Sequence, residues 1–181
     1  TLGNGEVRLL ELANAYAALA RGGLWRPYRL LRERSGAGVN VIHHRVCSEE
    51  SAWLLADMLT DEQARAASFG FDSFLKLPFP VAVKTGTSSN YRDNVVVGYT
   101  PEFTVAVWVG NPDGSPMREI TGVTGAAPVL HDVFLALDAR FPQTWMTRPA
   151  GIREVWTHPL TGRQSAKGNR EWAFHWPEVE S

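Results

Sequence analysis

Cysteine occurs once in the 181 residues, at Cys47, so no internal disulfide can form and no thiol cluster is present for metal or redox chemistry. An inert, partly buried thiol is expected there. Lysine is nearly as scarce, with Lys76, Lys84 and Lys167 set against fifteen scattered arginines. A formal net charge of −1 and a pI near 6.5 give no electrostatic reason to invoke nucleic acid or an anionic membrane surface, and no nucleic-acid partner is expected. No stretch approaches the roughly 20 apolar residues of a spanning helix, and the N-terminus has no signal-peptide pattern. An initiator methionine is lacking too: "TLGNGEV" leads almost directly into an amphipathic pattern, so the true start is expected upstream.

Apolar residues make up 44% of the chain and tryptophan occurs seven times, ample for a core. From Val7 to Ala20, Leu9, Leu12, Ala13, Tyr16, Leu19 and Ala20 fall on one face at helical spacing, and Gly22-Gly23 supplies a stop. "YRLLRER" and "VNVIHHR" flank "SGAG" as a hairpin would. Ser48 is a natural N-cap for a second helix reaching about Leu59, with Ala52, Leu55, Ala56 and Leu59 as its stripe.

Strands are expected at Val81 to Thr85, Asn94 to Thr100 and Phe103 to Gly110, the last two linked only by Pro101-Glu102 and therefore antiparallel. Both faces of the third are largely apolar, which predicts helices on both sides of the sheet. A last helix carries Leu130, Val133, Phe134 and Leu137, with Pro128 in its first turn. Beyond Phe141 the Pro/Gly content becomes linker-like, and a boundary is expected near residue 147, with no sustained period in the tail.

The scarce lysine is best placed for chemistry at Lys84, at a strand end in "VAVKTGTSSNYRDNVVVGYT". An ammonium there offers charge to an anionic substrate, the hydroxyls of Thr85, Thr87 and Ser88 offer hydrogen bonds to a carboxylate, and Gly86 lets a ligand approach the backbone. Such an edge suits an extended peptide, and its backbone N–H groups suit an oxyanion. A Lys-Thr-Gly tripeptide alone occurs often by chance.

Its context is more specific. "VAVKTGTSSNYRDNVVVGYTPEFTVAVWVGN" resembles the region around the third active-site motif of the penicillin-binding proteins, the KTG element that accompanies an S-x-x-K nucleophile. "TLGNGEVRLLELANAYAALARGG" resembles the helix preceding that motif in the bifunctional, class A enzymes, and "ARAASFGFDSFLKLPFPVAVKTGTS" with "GVTGAAPVLHDVF" is similar to the 1C subgroup. The resemblance covers about residues 1 to 147 in the expected order.

It implies an α/β fold of the serine β-lactamase and penicillin-binding transpeptidase type, an antiparallel sheet flanked by helices, present as its C-terminal part. Residues 1–146 would belong to that domain, and 147–181 to a linker and the start of an incomplete module. The implied parent is a peptidoglycan D,D-transpeptidase, periplasmic and anchored in the bacterial inner membrane. It would act on D-alanyl-D-alanine stem peptides and a lipid-linked precursor and be acylated by β-lactam antibiotics. A glycosyltransferase domain would precede this region; no metal or other cofactor is implied. Carried over, Lys84 is the catalytic lysine, Thr85 and Thr87 hydrogen-bond the substrate carboxylate with Gly86 and Ser88 beside them, and the Thr87 N–H is an oxyanion donor.

The nucleophile and S-x-N motifs precede the first helix in the family, so they are expected outside this sequence. Two look-alikes are discounted. "SFLK", Ser73 to Lys76, is followed by Pro78 and Pro80, which deny it a supporting helix, and it lies only eleven residues before Lys84. "SSN", Ser88 to Asn90, belongs to the turn after KTG. Arg92-Asp93 is expected to brace that turn as an ion pair, and Trp108 to lie in the core. Trp53, Trp145, Trp156, Trp172 and Trp176 are expected to pack more than to bind glycan. Adjacent His43 and His44 point to opposite faces on a strand, and His131 and Asp132 diverge on a helix, so neither pair makes a site. A non-catalytic cell-wall peptide-binding module, and a β-lactamase or D,D-carboxypeptidase, stand as alternatives.

Overall fold

The computed structural model describes residues 5–31, 42–70, 73–117, 120 and 123–174, with the backbone alone at 67–69. Helix α1 spans Leu9–Ala20. It stops where the glycine pair requires: Gly22 takes φ 63, its N–H donates to Leu19 O at 3.0 Å, and Gly23 N–H donates to Ala18 O at 2.8 Å. Gly23 runs so close to the next segment that a Cβ would come within 2.2 Å of Cys47 O. Strand β1, Leu24–Trp25, pairs antiparallel with β2, His44–Arg45. The expected hairpin therefore pairs nearer the glycines than predicted; Tyr28 to Leu31 is not strand, and residues 32–41 lie outside the described residues.

Helix α2, Glu49–Thr60, is capped by Ser48, whose Oγ accepts from Ser51 N at 3.1 Å. Its buried face is Ala52, Trp53 and Ala56, while Leu55 is exposed. The predicted stripe is thus rotated, because the large Trp53 indole is covered by the C-terminal part of the chain. A third helix, α3 at Glu62–Phe69, was not expected; Asp61 caps it, accepting from Gln63 N and Ala64 N at 2.9 and 3.0 Å. Ser73 to Lys76 forms only a turn, with Lys76 N donating to Ser73 O.

Strands β3 (Ala82–Thr87), β4 (Asp93–Tyr99) and β5 (Thr104–Gly110) form an antiparallel sheet in that order. Lys84 lies opposite Val97, and Val97 opposite Ala106. The expected link is tight: Thr100 N donates to Phe103 O, and Thr100 Oγ1 accepts from Phe103 N. Helix α4, Ala126–Asp138, buries Ala126, Ala127, Leu130 and Phe134 against Val81, Val83 and Val96 of one sheet face. On the other face Ala82 and Tyr99 pack with Ala56 of α2 and with Tyr16 and Leu19 of α1. Both faces are helix-covered, as the apolar alternation predicts.

The tail holds a hairpin that its sequence did not announce, β6 (Arg153–Thr157) with β7 (Asn169–Ala173). It docks on α2 through Trp172, which meets Trp53 edge to face at 5.8 Å and carries the Arg148 guanidinium 4.6 Å above its ring. Trp53 Nε1 donates to Met146 O. Trp145 packs beside Tyr99, Trp156 is exposed, and Trp176 lies outside the described residues.

Two outcomes follow from this packing. A Cβ at Gly98 would sit 2.8 Å from Phe134 Cε2 and 3.1 Å from Leu130 Cδ1. Gly98→Ala should therefore cost about 1–3 kcal/mol in urea unfolding, the range for overpacking a dense core. Burial, then the neighbouring Asp61 and Glu171, holds Asp57 above the ordinary carboxylate range. A raised carboxyl costs stability above its folded pKa and costs nothing below its unfolded one. Asp57→Asn should raise Tm at pH 7, the gain shrinking as pH falls through the carboxylate range in thermal melts.

Candidate active site

The site is built on β3, an edge strand of its sheet. Ser88 N donates to Asp93 O at 2.9 Å, which marks Ser88 and Asp93 as a hydrogen-bonded pair. Antiparallel ladders alternate, so Gly86 and Lys84 turn their main chain toward β4 while Thr87, Thr85 and Val83 turn theirs to the open edge. Lys84 agrees with this assignment: its Nζ donates to Thr85 O at 2.5 Å, reaching round the edge of its own strand.

Side chains alternate as well. Lys84 and Gly86 share the α1/α2 face with Ala82, whereas Thr85 and Thr87 share the α4 face with Val83. Because β3 is an edge, both sets border the same open side, one above and one below the strand. Lys84 is exposed, and a Cβ on Gly86 would meet nothing within 4 Å. The fold makes no steric demand for glycine there, so any demand must come from what approaches the edge.

Beyond Thr87 the turn is closed by Ser88, whose Oγ accepts from Asp93 N at 2.8 Å. Asn90 and Tyr91 take φ 60 and 55, so "SSN" is a tight turn and not a motif on a helix. Asp93 accepts from Trp108 Nε1 at 2.8 Å. The expected Arg92–Asp93 brace is thus replaced by an indole, and Trp108 is 40% exposed at the end of the sheet instead of core. The sequence reading also missed Asn94, fully buried, which takes the Thr87 hydroxyl on its Oδ1 at 3.3 Å and donates Nδ2 to Ile120 O at 2.8 Å. The available signal was one amide at the head of the valine run "DNVVVGY".

Below Lys84, on the same sheet face, Tyr99 is fully buried against Tyr16, ring centres 6.0 Å apart. Burial, then Tyr16 and Cys47, pushes the Tyr99 phenol far up, so it stays neutral at any working pH. Two clefts lie elsewhere. One of about 250 Å³ borders Arg65, Ser73 and Lys76, and one of about 350 Å³ borders Trp53, Trp145 and Glu49. Neither includes Lys84, whose setting is an open strand edge. "SFLK" therefore lines a separate cleft from the KTG strand.

Residues 3–134 match the family described as the penicillin binding protein transpeptidase domain. Penicillin-binding protein 1C of Escherichia coli is 31% identical over 145 residues, 78% of this chain and 18% of that protein. Penicillin-binding protein 2D of Bacillus subtilis is 28% identical over 178 residues, 92% of this chain and 26% of that protein. The chain thus spans about a fifth to a quarter of the length of these relatives. The fold is shared with the crystal structure of penicillin-binding protein 1A from Haemophilus influenzae, at a TM-score of 0.75 and 19% identity, covering 93% of this chain and 32% of that one. With a family match over most of its length and its KTG strand at the open edge of the matching fold, this chain belongs to the penicillin-binding protein transpeptidase domain family.

Proposed function

We propose that this chain is the KTG-bearing part of a peptidoglycan D,D-transpeptidase that cross-links stem peptides by serine acyl transfer and is acylated by β-lactams. The observation that carries it is Lys84-Thr85-Gly86-Thr87 on an open strand edge, with the Thr85 and Thr87 main chain turned outward, inside a transpeptidase-family domain. An extended D-alanyl-D-alanine peptide adds to such an edge by main-chain pairing.

The nucleophilic serine comes from outside these residues. Its Oγ attacks the carbonyl of the penultimate D-alanine, and the carbonyl electrons move onto oxygen, where the Thr87 N–H and the N–H of the nucleophile hold the oxyanion. Collapse breaks the peptide bond, and the terminal D-alanine leaves as a protonated amine. An amine from a second stem peptide then takes the acyl group and frees the serine. Lys84 supplies positive charge beside the serine and supports the proton transfers, while Thr85, Gly86, Thr87 and Ser88 form the substrate-binding run. Residues 1–146 are assigned to this domain and 147–181 to a linker and the start of a further module. The parent is placed at the periplasmic face of the inner membrane, with a glycosyltransferase domain using a lipid-linked precursor; no helix among the described residues is long and apolar enough to cross a membrane.

Labelled penicillin should leave the mass of the 181-residue chain unchanged. It should acylate the parent stoichiometrically on a serine outside this chain, and Lys84→Met should slow that by about 10²–10⁴-fold, as for loss of a proton-transfer group. An adduct on Ser73 would sink the assignment; peptide binding without acylation of the parent would favour a binding module, and rapid release of the acyl group to water a β-lactamase or carboxypeptidase. Gly86→Ala should leave Tm within about 2 °C, given the open space at its Cβ. The same variant should slow acylation of the parent by penicillin at least ~10-fold, because the methyl occupies the line of ligand approach.

A further inference from the structure

The stretch after α4 has the composition of a linker, yet it is held residue after residue. Gln143 N donates to Asp138 Oδ1 at 2.9 Å, and Gln143 Oε1 accepts from Thr100 Oγ1 at 2.7 Å. Thr144 N donates to Glu102 Oε2 at 3.2 Å, the Thr144 hydroxyl donates to the same carboxylate, and Met146 O accepts from Trp53 Nε1 at 3.4 Å. Between this strap and the ends of α1 and α2 lies the cleft of about 350 Å³. Its walls are therefore set before any ligand arrives, and its size falls within the ~300–1,000 Å³ of small-ligand sites.

The lining decides which chemistry fits. Trp145 packs on the Tyr99 cluster on one side and borders the cleft on the other. Trp53 is only 8% exposed, its N–H is given to Met146, and its ring stands perpendicular to that of Trp172. It offers the cleft a margin of apolar surface, not a second open face, and a cage for a quaternary ammonium needs several such faces. Among the described residues no lysine or arginine lines the cleft, so it does not suit an anion. None of those lining residues lies on a strand, so strand addition gives an extended peptide no foothold. What fits is a ligand with one apolar face and a rim of hydroxyls. The C–H face of a pyranose would lie on the Trp145 indole, with its hydroxyls bonded to the exposed Glu49 carboxylate and Thr147 hydroxyl.

We infer that this cleft is a saccharide site holding a sugar ring of the glycan that carries the stem peptides, with Trp145 as its stacking platform and Glu49 as its hydroxyl acceptor. The saccharide class follows from the lining; the identity of the glycan rests on the transpeptidase function proposed above. The cleft adjoins Pro101, past the end of β4 that lies away from Thr87 and Asn94, about 20 Å along the strand at ~3.3 Å per residue. A sugar bound there leaves the KTG edge open. It retains the glycan strand without touching the acyl-transfer step.

Calorimetric titration of the parent protein with the N-acetylglucosamine tetramer tests this, run beside acylation by penicillin, which reaches the KTG edge alone. Trp145→Ala should weaken the tetramer at least ~10-fold, as for loss of an aromatic anchor. It should leave acylation within about twofold, because the two sites are far apart and independent. Normal acylation also reports that the variant is folded. Should Trp145→Ala lose acylation through misfolding, the exposed Glu49→Ala decides, with an expected loss of about 10-fold for a hydrogen bond to a charged group.

Saturable binding that neither variant weakens belongs elsewhere in the parent and overturns the inference, as does the lack of saturable binding at millimolar concentration. A proline-rich peptide that binds in place of the tetramer, and is lost in Trp145→Ala, would overturn it in favour of a peptide groove. If the wild-type parent binds the tetramer through Trp145 yet takes no penicillin, the transpeptidase reading fails while the saccharide site stands. Normal acylation without tetramer binding is the reverse outcome, and the two failures are distinguishable.

Discussion

The register between β3 and β4 is the constraint on which every feature of the site depends. Pairing Lys84 with Val97, and Ser88 with Asp93 at the turn, sends the Thr85 and Thr87 peptide groups to the open edge and the Lys84 and Gly86 peptide groups into the ladder. A slip of one residue would reverse both assignments and move Lys84 onto the α4 face, among Val81, Val83 and Val96. The register is held from both faces at once. Val83 and Val96 must meet Leu130 and Phe134 of α4, while Ala82 and Tyr99 must meet Ala56 and Tyr16. Burying a valine set on one side and a tyrosine on the other leaves no alternative pairing of comparable packing.

Close approach is what lets the helices hold that register. Gly98 stands opposite Val83, where the α4 side chains of Leu130 and Phe134 come down onto the sheet. On the other side α2 approaches with alanines, Ala52 and Ala56, both fully buried. Small residues face the helices at the sheet centre, and the larger Tyr99 and Phe134 fill the space on either side. The edge strand of the site is thereby backed by a rigid two-sided core, as a binding strand needs if its peptide groups are to be pre-aimed.

Most of this fold is legible in the sequence, because α1, α2, β4, β5 and α4 each carry a long periodic pattern closed by a recognisable cap or turn. The Ser48 cap, the Gly22-Gly23 stop and the Pro101-Glu102 link all act where the sequence places them. What was not legible is decided by tertiary contact. Helix α3 is short and polar, and only its Asp61 cap announces it. The β6/β7 hairpin rests on five-residue strands rich in Arg and Glu, stabilised by the Trp53–Trp172 contact far away in sequence. That contact also rotated the buried face of α2 away from Leu55. Trp108 alternates as a core residue would, yet it lies at the sheet end and spends its N–H on Asp93. For the site, the KTG run and its neighbours stand out by scarcity of lysine and by resemblance, whereas Asn94 is invisible until Ile120 is brought beside it.

Asn94 shows why the chemistry and the scaffold cannot be separated here. A hydroxyl on an exposed strand has three rotamers and can donate or accept in any of them. The Thr87 hydroxyl donates to the buried Asn94 amide, and that amide donates in turn to the Ile120 carbonyl beyond the sheet. Met117 N, donating to Tyr91 O at 3.0 Å, ties the chain beyond β5 to the β3–β4 turn. Hydrogen bonds thus run from the edge strand through the buried Asn94 amide to Ile120 beyond the sheet. Exchanging the two ends of that amide would set acceptor against acceptor at Ile120 in a fully buried position, so the scaffold fixes which end of Asn94 faces the edge strand.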